Sequence, residues 1–396
     1  MKNQKTMKNF QKMMVLGVCV LSTTLAFGCT LKTHQKNESK TVLLTKNHEQ
    51  PKKQFVKIAL LLDTSNSMDG LINQAKAQLW DIVNEFTHAR CGNETRPLLQ
   101  IALYEYGNDN LSSREGYIRQ VISFSSDLDE ISEQLFSLTT NGGEEFCGQV
   151  IHTSLGQLEW GKNPDDLKMI FIAGNEPFTQ GKLDYRDATS QAKEKDVIVN
   201  TIFCGNYNQG IATNWKDGAL LTGGDYMAID HNRQIVHVAT PYDEVIIKLN
   251  SKLNHTYIAY GYMGASKISA QAQQDVNAYS LNESVALKRA KSKSSRLYNN
   301  SSWDLVDASE SEDFEVSSID KNDLPKELEG KSDDEIEKYI EEKKSERKRI
   351  QKEIQELSAK REAYIAKNQK AEKGELENAM LNAIKKQAAR KNYVWE

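Results

Sequence analysis

From residue 55 to about residue 262, short apolar runs alternate with amphipathic stretches of helical length, which predicts an α/β fold. The strand-like runs are 55–62, 98–106, 117–124, 168–173, 197–203 and 225–229, and the helical stretches are 68–88, 126–136, 148–160, 183–195, 211–221 and 241–253. Residues 58–62 and 169–173 are apolar at every position. Central strands of a mostly parallel sheet have this character because helices cover both of their faces. The prediction is a doubly wound, Rossmann-like sheet, and ligands of such sheets gather beyond the carboxyl ends of the strands.

After residue 262 the pattern changes. A helical stretch at about 270–291 and a spacer rich in Ser, Asp and Glu at 308–323 make 263–323 a partly helical linker, with a charged helical tail at 324–396. Ser332-Asp333-Asp334-Glu335 has the form of a capping box. Behind it Ile336, Ile340, Lys343, Arg347, Ile350, Ile354, Leu357, Arg361 and Tyr364 recur in alternating steps of four and three, the spacing of a coiled-coil seam. Three charged seam positions weaken self-pairing. Packing on the globular domain, on a partner, or as a hairpin of 335–367 with 376–391 are the open readings.

Composition narrows the function. With 396 residues, 39% of them hydrophobic, the chain can bury a full core. A net charge of -4 lacks the basic excess that a phosphate backbone demands, so nucleic acid is not an expected partner. Lys2, Lys5, Lys8 and Lys12 precede the apolar residues 13–21, a secretory-signal pattern too short for a membrane span of roughly 20 residues. Leu25-Ala26-Phe27-Gly28-Cys29 is similar to a bacterial lipoprotein processing site, with Ala26 and bulky Phe27 departing from the usual pattern. The resemblance implies a signal peptide at 1–28, a lipid on Cys29, and residence in the bacterial cell envelope, on an outer-membrane face, while the polar stretch that follows reads as a flexible tether at 29–54. Export permits disulfides, and Cys147 and Cys204, both placed near the upper edge of the sheet, are the expected pair, with Cys91 at the opposite end. No CxxC or His-rich spacing announces a zinc site.

The candidate chemistry follows the first strand directly, in Asp63-Thr64-Ser65-Asn66-Ser67. Alternate residues of an extended turn face one side, so Asp63, Ser65 and Ser67 can present three oxygens to one point. Carboxylate and hydroxyl oxygens suit a hard cation, with Mg²⁺ first and Mn²⁺ or Ca²⁺ as alternatives. Asp63 and Ser65 would serve equally as a helix cap, and the two roles are compatible.

A long apolar strand ending in this motif, together with the Gly-rich loop Thr139-Thr140-Asn141-Gly142-Gly143-Glu144-Glu145, resembles the von Willebrand factor A-type (VWA) domain over residues 55–262. The resemblance implies that Ser65 and Ser67 ligate a divalent cation, that Asp63 acts through water, and that an open coordination position receives a carboxylate from a protein partner. Where the family has a Thr after the Gly pair, this chain has Glu144 and Glu145, which join the expected ligand set with Thr140 as a lesser candidate. Where the family has an Asp after the fourth strand, this chain has Gly174, followed by Asn175 and Glu176 as a candidate wall. The expectation is a non-enzymatic, cation-dependent protein-binding module anchored to a membrane by lipid. The alternatives are a metal-dependent hydrolase or phosphatase, and a helical scaffold with a degenerate metal site. Against the first, Ser65 stands where a haloacid-dehalogenase-type phosphatase has its acid, and neither a GxSxG elbow nor a P-loop occurs.

Overall fold

The computed structural model describes residues 53–66, 68–92, 96–368 and 375–395. Its first half comprises β1 (Phe55–Asp63), α1 (Asp69–Thr87), β2 (Ala89–Cys91), β3 (Leu98–Tyr106), β4 (Ile118–Ser125), α2 (Leu128–Ser137), α3 (Cys147–Gln157), β5 (Leu167–Gly174), α4 (Tyr185–Glu194) and β6 (Ile198–Cys204). It continues with α5 (Tyr207–Ala212), α6 (Trp215–Leu220), β7 (Tyr226–Ile229), α7 (Asp243–Asn254), α8 (Gly264–Leu281), α9 (Glu283–Lys293), α10 (Leu305–Ala308), α11 (Asp333–Asn368), α12 (Glu375–Ala389) and β8 (Tyr393–Trp395).

The main sheet has the order β4-β3-β1-β5-β6-β7, and only β4 runs antiparallel to its neighbour. This is the mostly parallel, doubly wound arrangement that the apolar runs predict. β1 is central, and its side chains divide by parity. Val56, Ile58, Leu60 and Leu62 enter the core beneath α1, whereas Ala59 and Leu61 enter the core beneath α3 and α4. Successive Cβ atoms of a strand point to opposite faces, which is why a strand with helices on both sides must be apolar throughout. β3 lies on one side of β1 and β5 on the other, so chain order reverses at β1. A crevice therefore opens at its carboxyl end, where Asp63 stands opposite Tyr106.

The segments expected to be linker and tail join this core. α11 packs on α7 and α9, and α12 packs on α1, placing Met380, Ile384 and Ala388 in the same apolar cluster as β1. β8 pairs antiparallel with β2, a small sheet that the sequence pattern did not suggest because each strand is only three residues long. The seam of α11 is spent within the chain: Ile336, Ile340, Ile350 and Ile354 are buried, and Arg347 donates to Asp304, Asp307 and Thr256. α12 lies on α1 instead of returning along α11 as a hairpin. The capping box forms, with Ser332 N–H donating to Glu335 Oε2 at 2.8 Å.

Candidate functional site

Four loops converge above the end of β1, and they are stitched to one another mainly through the backbone. The Thr64 N–H donates to Tyr106 O at 2.9 Å, and the Asn141 N–H donates to Thr64 O at 3.0 Å. Buried Asn108 donates through its amide to Thr139 O at 2.9 Å, tying the loop after β3 to the Gly-rich loop. A Cβ on Gly143 would stand 2.3 Å from Gly107 O, so only glycine permits the two loops to touch. The loop after β5 is fixed from behind, where Trp215 Nε1–H donates to Glu176 O at 2.8 Å and Phe178 N–H to Thr213 O at 2.9 Å.

Inside this frame lie Asp63, Ser65 and Glu145, all buried. The Ser65 N–H donates to Asp63 Oδ1 at 2.7 Å, but Asp63 Oδ2 is buried with no hydrogen-bond partner. Desolvation raises the Asp63 carboxyl to about 6; Ser65 opposes the rise through its amide and hydroxyl, Glu176 adds to it, and the Asn175 amide opposes it. Desolvation and then the charge of Asp63 raise Glu145 to about 7, with Ser65 opposing and Glu176 adding. Among the described residues no Lys or Arg forms a salt bridge with Asp63, Glu145 or Glu176. Buried carboxylates without a cation are costly, and a carboxylate oxygen without a donor is satisfied by a metal ion as readily as by an N–H. This donor set, carboxylates plus a serine hydroxyl, fits a hard divalent cation.

The structure brings Asp63, Ser65, Glu145 and the Asn175–Glu176 loop together. It separates Glu144, which is exposed, from buried Glu145. Thr140 is turned away, its hydroxyl donating to Asp69 Oδ1 at 2.7 Å. Ser67 and Cys29 lie outside the described residues. The expected Cys147–Cys204 disulfide is not formed: both are buried free thiols, and they belong to apolar clusters on opposite faces of the sheet.

Tyr106, which ends β3 and is with Asn108 a candidate from sequence for the rim of this face, takes part from outside the motif. Its hydroxyl donates to Ala173 O at 2.9 Å, and a Cβ on Gly174 would meet that hydroxyl at 2.6 Å and Asp63 Oδ2 at 3.0 Å. Gly174 is thus coupled to Tyr106: the aromatic ring occupies the space that a side chain at 174 would need. The pair Tyr106 and Gly174 is visible in the sequence, but the contact between them arises only when β3 and β5 flank β1.

Residues 57–211 match the model of the von Willebrand factor type A domain. A search among curated proteins finds no match. Among solved structures, the conserved hypothetical protein BatB from Bacteroides thetaiotaomicron is 15% identical, covering 44% of this chain and 90% of its own, with a TM-score of 0.34. An aerotolerance-related membrane protein from Bacteroides fragilis NCTC 9343 is 14% identical, covering 45% of this chain and 93% of its own, with a TM-score of 0.32. The proximal thread matrix protein 1 from the mussel byssus, with a zinc occupied MIDAS motif, is 14% identical, covering 44% of this chain and 42% of its own, at a TM-score of 0.33. Likenesses at these scores carry no argument about function. The family model, the strand order and the loop motif after β1 agree, and residues 57–211 of this chain are a von Willebrand factor type A domain.

Proposed function

We propose that the crevice above β1 holds a divalent cation, Mg²⁺ first among the hard ions, through which the protein binds an Asp or Glu carboxylate of a protein partner. Domains of this class generally serve metal-dependent protein interactions. The observation that carries the reading here is Asp63 Oδ2, buried without a hydrogen-bond partner beside a second buried carboxylate, with no Lys or Arg salt-bridged to either among the described residues. Ser65, Ser67 and Asp63 would hold the ion, with Glu145 and Glu176 adding negative charge. Glu144, being exposed, would face the partner. A hard cation in such a site retains positive charge, so an incoming carboxylate gains a metal bond and charge neutralisation together. In this reading the chain's own residues bind and orient, and the protein is an interaction module.

We place the protein at the bacterial envelope through a lipid on Cys29, supported by the basic start, the short apolar core and the small Gly28. No helix among the described residues is long and apolar enough to cross a membrane. Capture of partners from envelope extract tests the binding role. Chelator and the double variant Ser65→Ala, Ser67→Ala should abolish the same band. A partner retained at full yield by both would refute the metal bridge. Cys29→Ala should release the protein from washed membranes.

A further inference from the structure

Far along the chain from the motif after β1, a second set of ligating atoms comes together from three elements. His237 lies in the segment between β7 and α7, Asp243 opens α7 and Glu283 opens α9. His237 Nε2 stands 3.4 Å from Asp243 Oδ2 and 3.5 Å from Glu283 Oε2, and the three ligand atoms lie within 4.8 Å of one another. We infer that these three side chains form a separate transition-metal site, best suited to Zn²⁺.

Two distances decide between a metal and a proton at this place. A charge-assisted N–H···O bond closes to about 2.7–2.9 Å. The edges of a tetrahedron with metal–ligand bonds of about 2.0–2.1 Å are longer, about 3.3–3.4 Å. The two separations from His237 Nε2 match the edges. A single Nε2–H shared between two carboxylates makes only a long three-centre bond, whereas a metal ion takes a lone pair from each of the three atoms.

The surroundings orient the ligands. Asp243 receives the Thr240 N–H at 2.9 Å on Oδ2, and the Thr240 hydroxyl at 2.6 Å and Arg361 Nε–H at 2.9 Å on Oδ1. Outer-shell hydrogen bonds of this kind fix the direction of a ligating carboxylate. Asn282 Nδ2–H donates to Ile235 O at 3.0 Å and ties the segment carrying His237 to the corner carrying Glu283. Glu283 is 37% exposed, which leaves a path from solvent and room for a water as fourth ligand. Imidazole selects Zn²⁺ over the alkaline-earth ions. His237 Nδ1 is buried without a partner, and a ligand lacking that outer hydrogen bond binds roughly 10–100-fold more weakly than one that has it. The ligand spacing, six residues and then forty, is unlike any short zinc motif, so it is invisible before folding.

The experiment is Zn²⁺ binding to the full chain by equilibrium dialysis, with Mg²⁺ in large excess to fill any hard-cation site, followed by Co²⁺ substitution read in the visible spectrum. One equivalent of Zn²⁺ should bind to wild type and to Asp63→Asn alike. Affinity should fall by about tenfold or more in His237→Ala and, separately, in the surface variant Glu283→Gln. Co²⁺ should give the intense visible bands of four-coordination in wild type and lose them in Glu283→Gln. Unchanged Zn²⁺ affinity in Glu283→Gln, binding that disappears with Asp63→Asn, or no binding to wild type would each overturn the proposal.

Discussion

Asp63 and Asp275 are both carboxylates withdrawn from water, and the chain treats them in opposite ways. Asp275 receives Arg289 Nε–H at 2.6 Å, Lys293 Nζ at 2.9 Å, Asn250 Nδ2–H at 3.0 Å and Asn254 Nδ2–H at 2.7 Å. Burial alone would raise its pKa, but Lys293 and Arg289 override burial and hold the carboxyl well below the usual range. Its neighbour Asp129 shares Arg289 at 2.7 Å and accepts the Tyr298 hydroxyl at 2.5 Å. Asp63 is more deeply buried, pairs with no Lys or Arg among the described residues, and its carboxyl is raised instead. Where carboxylates join α2, α8 and α9, the chain supplies its own cations. At the end of β1 it supplies neutral donors and oxygens but no paired Lys or Arg among the described residues, which is the arrangement expected if the positive charge comes from solution.

The comparison breaks most visibly at Arg289. Arg289→Met would leave Asp129 and Asp275 buried with less than their charge compensated, at a cost of about 3–5 kcal/mol. Urea unfolding followed by circular dichroism measures this, and a loss under 1 kcal/mol would remove the contrast.

A second expectation concerns pH in the presence of chelator. Asp63 at about 6 and Glu145 at about 7 are raised above their ordinary values, so the native state holds protons that the unfolded chain has released. Stability should therefore fall as pH climbs from about 4 to 7, with Asp63 contributing at most about 3 kcal/mol. Asp275 acts in the other direction on the acid side: its lowered pKa contributes stability above the ordinary carboxylate range and loses it as pH falls below that range. Asp63→Asn should flatten the decline between pH 4 and 7 while leaving the acid limb alone. An unchanged slope would mean that Asp63 is not the group responsible.

A smaller effect is expected at Gly174. Gly174→Ala forces a Cβ against the Tyr106 hydroxyl and should cost about 1–3 kcal/mol through overpacking. In the Tyr106→Phe background, which removes that hydroxyl, the cost should shrink. Thermal melts of the four combinations provide the coupling energy.

Much of this architecture was legible before folding. The six strands of the main sheet follow from short apolar runs alternating with stretches of helical length, and Asp63 at a strand end marks the crevice. Three kinds of feature were not legible. The buried seam of α11 reads as a coiled coil because periodicity records that a face is covered, without naming what covers it. Which of Glu144 and Glu145 is buried depends on the path of a Gly-rich loop, which no propensity fixes. Cys147 begins α3 and Cys204 ends β6 near the upper edge, but α3 covers one face of the sheet while strand parity turns Cys204 to the other, and the sequence distance between them carries no trace of it. The arginines of the packed tail belong to the same class. Arg347 and Arg361 look like breaks in an apolar seam, yet each reaches a carboxylate on another element.

The central claim is that the oxygens around Asp63 take a divalent cation from solution. Its most direct test is the thermal stability of wild type and Asp63→Asn in chelator-treated buffer, titrated with Mg²⁺. An ion that binds only the native state stabilises wild type by about 2.7 kcal/mol at one hundred times its Kd. The account predicts a Mg²⁺-dependent rise in Tm for wild type and none for Asp63→Asn, with the metal-free variant at least as stable as metal-free wild type. Equal Mg²⁺ response in both proteins, or no response in either, would contradict it.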